Sequence, residues 1–245
     1  PDHPWVDAAD GAAVRIAMTV GATGTTQGRL LEVTAERPDE NGEVAVQVRE
    51  RGGLLHADLS LGANVSSAKA LQANAGIAGM GVALHGSGFI LDPDQAARIR
   101  SQGSVVVTPY VGGRDLLQVP RERYLIDFSE LTESEARTAN PAAFQHVIDF
   151  VKPERDHNNR KQLKEIWWRF GWERPQLRAA LRGLPRYIGT TETSKHRVFQ
   201  FIDNSTLPDH KIFCVASPDV FLLGVLSSRP HVTWSDALGG RLGVG

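Results

Sequence analysis

The 245-residue chain has one cysteine and two methionines, and only 7% of its residues are aromatic. A lone cysteine, Cys214, excludes a disulfide framework and a cysteine-based zinc site. Its neighbours Ile212, Phe213 and Val215 mark it as a thiol on a buried strand. A cytoplasmic setting fits. No apolar run approaches the ~18–20 residues of a membrane helix, so no membrane partner is expected. No signal peptide opens the chain, which begins Pro1-Asp2-His3-Pro4. With its abrupt end at Gly245, the chain reads as a piece of a longer polypeptide.

Catalytic signatures are missing too. His3, His56, His85, His146, His157, His196, His210 and His231 include no His-x-x-x-His pair and no pairing with cysteine at ligand spacing. There is no Gly-x-Ser-x-Gly elbow. Neither a glycine-rich methyltransferase cofactor turn nor an Asn/Asp-Pro-Pro-Tyr/Phe loop occurs. Gly76, Gly79, Gly81, Gly86 and Gly88 are dense, but no Lys-Ser/Thr follows them. Their flanks read as hairpin strands, which argues against a phosphate loop. Asp209-His210 is half of a triad on paper, and a hydrolase is the reading it would support. The expectation is a chain with no catalytic residue, no metal and no cofactor of its own.

What is present is ordinary for a folded soluble protein, with 41% hydrophobic and 22% charged residues. The net charge of -1 hides an asymmetry. Residues 1–60 carry 5 basic against 10 acidic side chains, and residues 152–186 carry 10 against 4. Such segregation suits a face turned to a polyanion, or else a solvated helix face.

Strands are predicted at 14–20, 29–35 and 43–49, the last alternating with period two. Ala63–Ala75 has the small-residue character of a helical connector. Asp92 caps a helix through Arg100, with Pro93 at its first position. Strands follow at 105–107 and 124–128, and Val111-Gly-Gly-Arg-Asp115 forms a turn that carries Arg114. A helix opens at Ser129. Helical pattern runs from Pro141 to about Phe170, kinked or ended at Pro153. A helix at 175–182, strands at 186–190, 197–202 and 211–216, and a helix from Asp219 to Ser228 complete the chain. Mixed elements without regular βαβ alternation predict an α+β fold.

The densest polar cluster is Thr190-Thr191-Glu192-Thr193-Ser194-Lys195-His196-Arg197, at the mouth of a predicted strand. Arg and Lys grip phosphate, whereas Arg, Ser, Thr and Glu also meet base edges. A pure phosphate clamp would avoid Glu192, which can instead accept from cytosine. Composition leaves a second reading equally open, a charged hairpin end in which Glu192 pairs with Lys195. Trp167 falls on an apolar stripe with Leu163 and Phe170. Trp168 and Trp172 are the candidates for exposure and stacking.

Several segments in order resemble one family. "VTPYVGGRDL", "RYLIDFSELTESEA", "FVKPERDHNNRKQLKEIWWRFGWERPQLRAALRGLPRYIGTTETSKHRVFQF", "PDHKIFCVAS", "LGVLSSRPHVTW" and "GGRL" are similar to the target-recognition region of MmeI-like type II restriction–modification enzymes. "HPWVDAADGAAVRIAMTV" resembles a late strand of the methyltransferase sheet in that family. The resemblance implies residues 1–62 as the tail of a methyltransferase domain and 63–245 as a DNA target-recognition domain. It implies sequence-specific reading of double-stranded DNA for an adenine-N6 methyltransferase, with S-adenosylmethionine and any nuclease in the remainder of the parent chain. Specificity segments then map to Thr190, Thr191, Glu192, Ser194, Lys195, His196 and Arg197, to Asp209, His210 and Lys211, and to Arg241. Beyond Arg241 the chain departs from the family, ending Gly243-Val244-Gly245. Arg114, Lys161 and Lys164 are further basic candidates. The rival reading is an assembly module whose basic face docks an acidic partner domain.

Overall fold

The computed structural model describes residues 3–4, 15–16, 18–24, 27–38, 44–56, 59–62 and 64–239. Its contacts divide the chain into two units, Pro1–Lys69 and Ala70–Gly245. In the first unit β1 (His3–Pro4) pairs with β2 (Arg15–Ile16), which falls within the strand predicted at 14–20. β3 (Gly28–Pro38) and β4 (Val44–Gly53) form a long antiparallel ribbon. Arg29 meets Glu50 and Arg49 meets Glu32 across it, each at 2.6 Å. Its register shifts between Val33 and Ala35, where a bulge twists the pair.

The predicted connector helix at 63–75, which runs across the division between the units, is replaced by two single 3-10 turns, Val65–Ser67 and Gln72–Asn74. Alanine favours helix, but too few neighbours pack here to repay nucleation. The glycine-dense stretch is not a hairpin either. β5 (Ala78–Met80) and β6 (Ile90–Leu91) go to different sheets.

One sheet runs β10 (Gln200–Asp203), β9 (Arg186–Thr191), β12 (Ile212–Val215), β5, all antiparallel. The other runs β11 (Leu207–Pro208), β7 (Val107–Val111), β8 (Tyr124–Ile126), β6, with only β11 and β7 parallel. Helices complete the mixture, and the fold is α+β.

α1 (Pro93–Ser101) starts as its sequence dictates. Asp92 accepts from the Gln95 N–H at 2.8 Å, and the Gln95 side chain accepts from the Asp92 N–H at 3.0 Å. α2 (Gly113–Leu117) occupies what the sequence suggested was a turn. α3 (Glu133–Ala139) begins after Thr132, not at Ser129, because Thr132 and Glu135 close a reciprocal capping box. The helical run from Pro141 breaks into α4 (Pro141–Phe150), α5 (Lys152–Asp156) and α6 (Lys161–Glu165). Pro153 lies in the first turn of α5, where its missing N–H does no harm. α7 (Pro175–Leu181), α8 (Val220–Ser227) and α9 (Arg229–Leu238) follow.

Two apolar clusters hold these elements. Phe89, Leu91, Leu125, Ile126, Phe128, Phe144, Trp167 and Phe170 anchor the larger one, so Trp167 is a core residue. Leu177, Leu181, Tyr187, Ile202, Ile212 and Cys214 form the smaller. Cys214 is the buried strand thiol that its neighbours suggested, and burial pushes its pKa up to about 12.

The basic stretch 152–186 does not form one free face. Arg155 is wholly buried and donates to the carbonyls of Leu84 (2.8 Å) and Arg169 (3.1 Å). Lys152 pairs with Asp156, Arg169 with Glu173 and Arg178 with Asp127. Arg186 donates to the Pro218 carbonyl and lies over the Phe201 ring. The charge asymmetry in the sequence is thus partly spent inside the fold. No helix among the described residues is long and apolar enough to cross a membrane.

Candidate nucleic-acid interface

Three separate segments converge on one open groove of about 590 Å³. The first is α2 with the loop after it, giving Arg114, Gln118, Arg121 and Arg123. The second leaves the end of β9, giving Thr191 and Thr193. The third links β11 to β12, giving Asp209 and Lys211.

Sheet pairing brings these together. β9 and β12 are register partners, Ile212 opposite Thr191. The Glu192 N–H extends that ladder by donating to the Lys211 carbonyl at 2.8 Å. β11 lies beside β7, and the Asp209 N–H donates to the Val111 carbonyl at 2.9 Å, just before α2. Gly81 lets the chain pass under this junction, where a Cβ would collide with the Pro208 and Asp209 carbonyls.

One carboxylate organises the α2 wall. Asp115 is buried and accepts from the Gly112 N–H (2.8 Å), Arg121 Nε (2.8 Å) and the Arg123 guanidinium (2.6 Å). Burial works against its charge. The hydrogen bonds from Arg121, Gly112 and Arg123 outweigh that and hold its pKa well below the usual aspartate range. Arg123 also sits over the Tyr110 ring, 5.0 Å from its centroid. Arg114 is exposed on the groove wall and donates to Gln118 at 2.6 Å, with no carboxylate against it among the described residues.

The facing wall is equally tied down. Asp209 accepts from the Tyr110 hydroxyl at 2.6 Å and from the Lys211 N–H at 2.9 Å, and meets His210 Nδ1 at 3.1 Å. Burial, followed by the Asp209 contact, raises the Tyr110 pKa far above its ordinary value, so the phenol stays a donor. Lys211 Nζ donates to Glu192 at 2.7 Å. This overturns the Glu192–Lys195 pairing that sequence proximity suggested. Lys195 and His196 are left exposed.

Other predicted residues are placed less openly. Thr190 and Thr191 are buried in β9, and neither hydroxyl has a hydrogen-bond partner among the described residues. Thr191 forms part of the groove lining. Ser194 donates to the His196 carbonyl at 2.6 Å, and Arg197 turns back to the Thr191 carbonyl at 2.8 Å. Arg197 therefore shapes the loop. Lys161 and Lys164 lie on α6 and do not line the groove, and Lys161 faces Glu165 at 3.5 Å. His210 does not line it either. Arg241 lies outside the described residues.

Tyr110, Gln118, Arg121 and Arg123 line the groove and were not singled out from sequence. The signal was the pair Arg121-Glu122-Arg123, two positions of like charge flanking one of opposite sign, downstream of Asp115.

Hydrolysis at Asp209-His210 finds no support. No hydroxyl or thiol bonds the second ring nitrogen of His210 among the described residues, and Cys214 is buried. No group of three His, Cys, Asp or Glu side chains among the described residues is placed to hold a metal. Two of the dense glycines answer to packing. Gly81 serves the close backbone approach described above, and Gly88 abuts the backbone of Phe150.

The groove walls thus mix cations with carboxylates and fixed donors. Such a surface fits recognition of polar edges better than a uniform phosphate clamp.

No curated protein matches the chain. A solved structure does: the type IIL restriction–modification enzyme MmeI in complex with DNA, at 16% identity and a TM-score of 0.63. The match covers 98% of this chain and 32% of that one, and at this identity it shows a shared fold. The family model described as "MmeI, target recognition domain" matches residues 66–245, most of the chain. The chain belongs to the MmeI family, and residues 66–245 are its target recognition domain.

Proposed function

We propose that this domain reads the sequence of double-stranded DNA through the groove between α2, the end of β9 and the β11–β12 link. The observation that carries the reading is the convergence there of Arg114, Thr191, Asp209 and Lys211 from three distant parts of the chain. Arg114 and Lys211 supply phosphate or guanine contacts. Glu192 and Asp209 accept from exocyclic amines, and the exposed Lys195 adds electrostatic affinity.

Residues 1–62 are read as the tail of a methyltransferase domain. Methyl transfer to adenine N6, with S-adenosylmethionine as donor, belongs in this reading to the remainder of the enzyme. Its choice of base to flip would be set by the recognition domain. The compartment is cytoplasmic, as expected for an enzyme acting on intracellular DNA. Docking of residues 152–186 to an acidic partner is not favoured, because Arg155, Arg169, Arg178 and Lys152 are committed internally.

The test is titration of a labelled duplex pool at two salt concentrations, followed by sequencing of the bound fraction. Binding that weakens with salt and enriches a defined site is expected. Salt-independent binding, or a bound fraction as random as the input, would overturn the reading.

A further inference from the structure

Four non-glycine residues among those described have left-handed backbones, and two of them clamp one ring. His85 (φ 51) meets the Trp172 indole edge-on, with centroids 5.3 Å apart. Arg174 (φ 58) lies over the same ring at 4.9 Å and donates through Nε to the Gly81 carbonyl at 3.1 Å. Such conformations are costly outside glycine and persist where neighbours over-determine them, often at binding sites. Gly171 completes the clamp, since a Cβ there would strike the His85 ring.

Trp172 is also fixed to the groove through backbone. It exchanges two hydrogen bonds with Ala83, each 3.0 Å. The same strip donates from Val82 to the Pro208 carbonyl (2.9 Å) and from Gly81 to the Ile212 carbonyl (3.0 Å), bracketing Asp209 to Lys211. Nevertheless Trp172 is 51% exposed, while Trp167 is buried and Trp168 spends its N–H on the Leu131 carbonyl.

We propose that Trp172 is a stacking platform for an unpaired nucleotide of the bound DNA. The proposal rests on the DNA-reading function above. A base inside an intact duplex has both faces covered, so a rigid exposed indole beside the reading groove suits a base that has left the stack. The ring's surroundings are cationic. Arg174 lies over it, and the exposed Arg160 is close enough for its charge to act on His85. Phosphates of a bound strand would compensate these cations.

The experiment uses the 245-residue chain, a labelled fully paired duplex, and the same duplex with one extrahelical adenine. Wild type should favour the bulged duplex by roughly tenfold. Trp172→Ala should remove the preference and leave paired-duplex affinity and salt slope intact. Trp172→Phe should keep most of it. Bulged DNA should quench the intrinsic fluorescence of wild type more than that of Trp172→Phe. Retention of the full preference by Trp172→Ala overturns the proposal, as does equal weakening on both duplexes. An effect confined to association with the catalytic part of the enzyme overturns it in favour of a protein contact. If wild type binds paired duplex without any preference for the bulge, the platform fails while the DNA reading stands. If wild type binds neither duplex, both fail.

Discussion

Lys211 Nζ donates to Glu192 Oε2 at 2.7 Å, and the Glu192 N–H donates to the Lys211 carbonyl at 2.8 Å. The two residues lie nineteen positions apart and face each other only because β9 and β12 are paired. Two side chains with opposite binding preferences are thereby held as one unit on the groove rim. Both are substantially exposed, so their ion pair contributes little to folding and much to what the rim presents.

Lys211→Ala is expected to weaken DNA binding and reduce the salt slope by about one. Glu192→Gln releases Lys211 and should strengthen binding to all sequences while relaxing selectivity. Anisotropy titrations on cognate and scrambled duplexes check both, and unfolding temperatures should barely move. A selectivity unchanged by Glu192→Gln would remove that residue from base reading.

Lys195 and Arg197 should separate cleanly. Lys195 is exposed, so Lys195→Ala should lower affinity without loss of stability. Arg197 holds the loop through the Thr191 carbonyl, so Arg197→Ala should cost about 1 kcal/mol of stability and disturb binding only through the loop. Thermal melts beside duplex titrations distinguish the two patterns.

Asp115→Asn should destabilise the domain by about 2–3 kcal/mol, because Arg121 and Arg123 lose their shared charge. The pH dependence has a definite sign. The folded pKa lies below the ordinary value of 3.8, so the stabilisation is complete above the unfolded value. It fades as pH falls from about 5 through that value toward the lower folded one. Denaturation midpoints from pH 7 to 3 should drop more steeply for wild type than for Asp115→Asn.

Arg155→Ala should be among the most damaging single changes, at about 3–5 kcal/mol. It empties a fully buried site and strips donors from the Leu84 and Arg169 carbonyls. Lysine retains the charge but lacks the planar fork, so Arg155→Lys should rescue only part of the loss. Chemical denaturation of the three proteins checks the order.

Much of the fold was legible along the chain. The Asp92 cap, the alternating ribbon and the buried Cys214 follow from local rules, since caps and period-two patterns act over a few residues. The 63–75 connector and the 129 helix start misled, because propensity yields to packing and to the better cap. At the candidate site, the polar cluster at 190–197 was visible as composition, but its division of labour was not. Which cation answers Glu192 depends on strand pairing, which composition does not encode.

The sequence by itself determined the family and the α+β class, because those reside in residue order. Tertiary structure decided the rest. Pairing of β9 with β12 and of β11 with β7 drew Arg114, Thr191, Asp209 and Lys211 into one groove. Burial took Arg155 and Trp167 out of the binding face. Trp172 stays half exposed between two left-handed residues, His85 and Arg174. The physical reason is that proximity across a sheet and access to water are properties of the packed chain, fixed only when distant segments compete for the same interior.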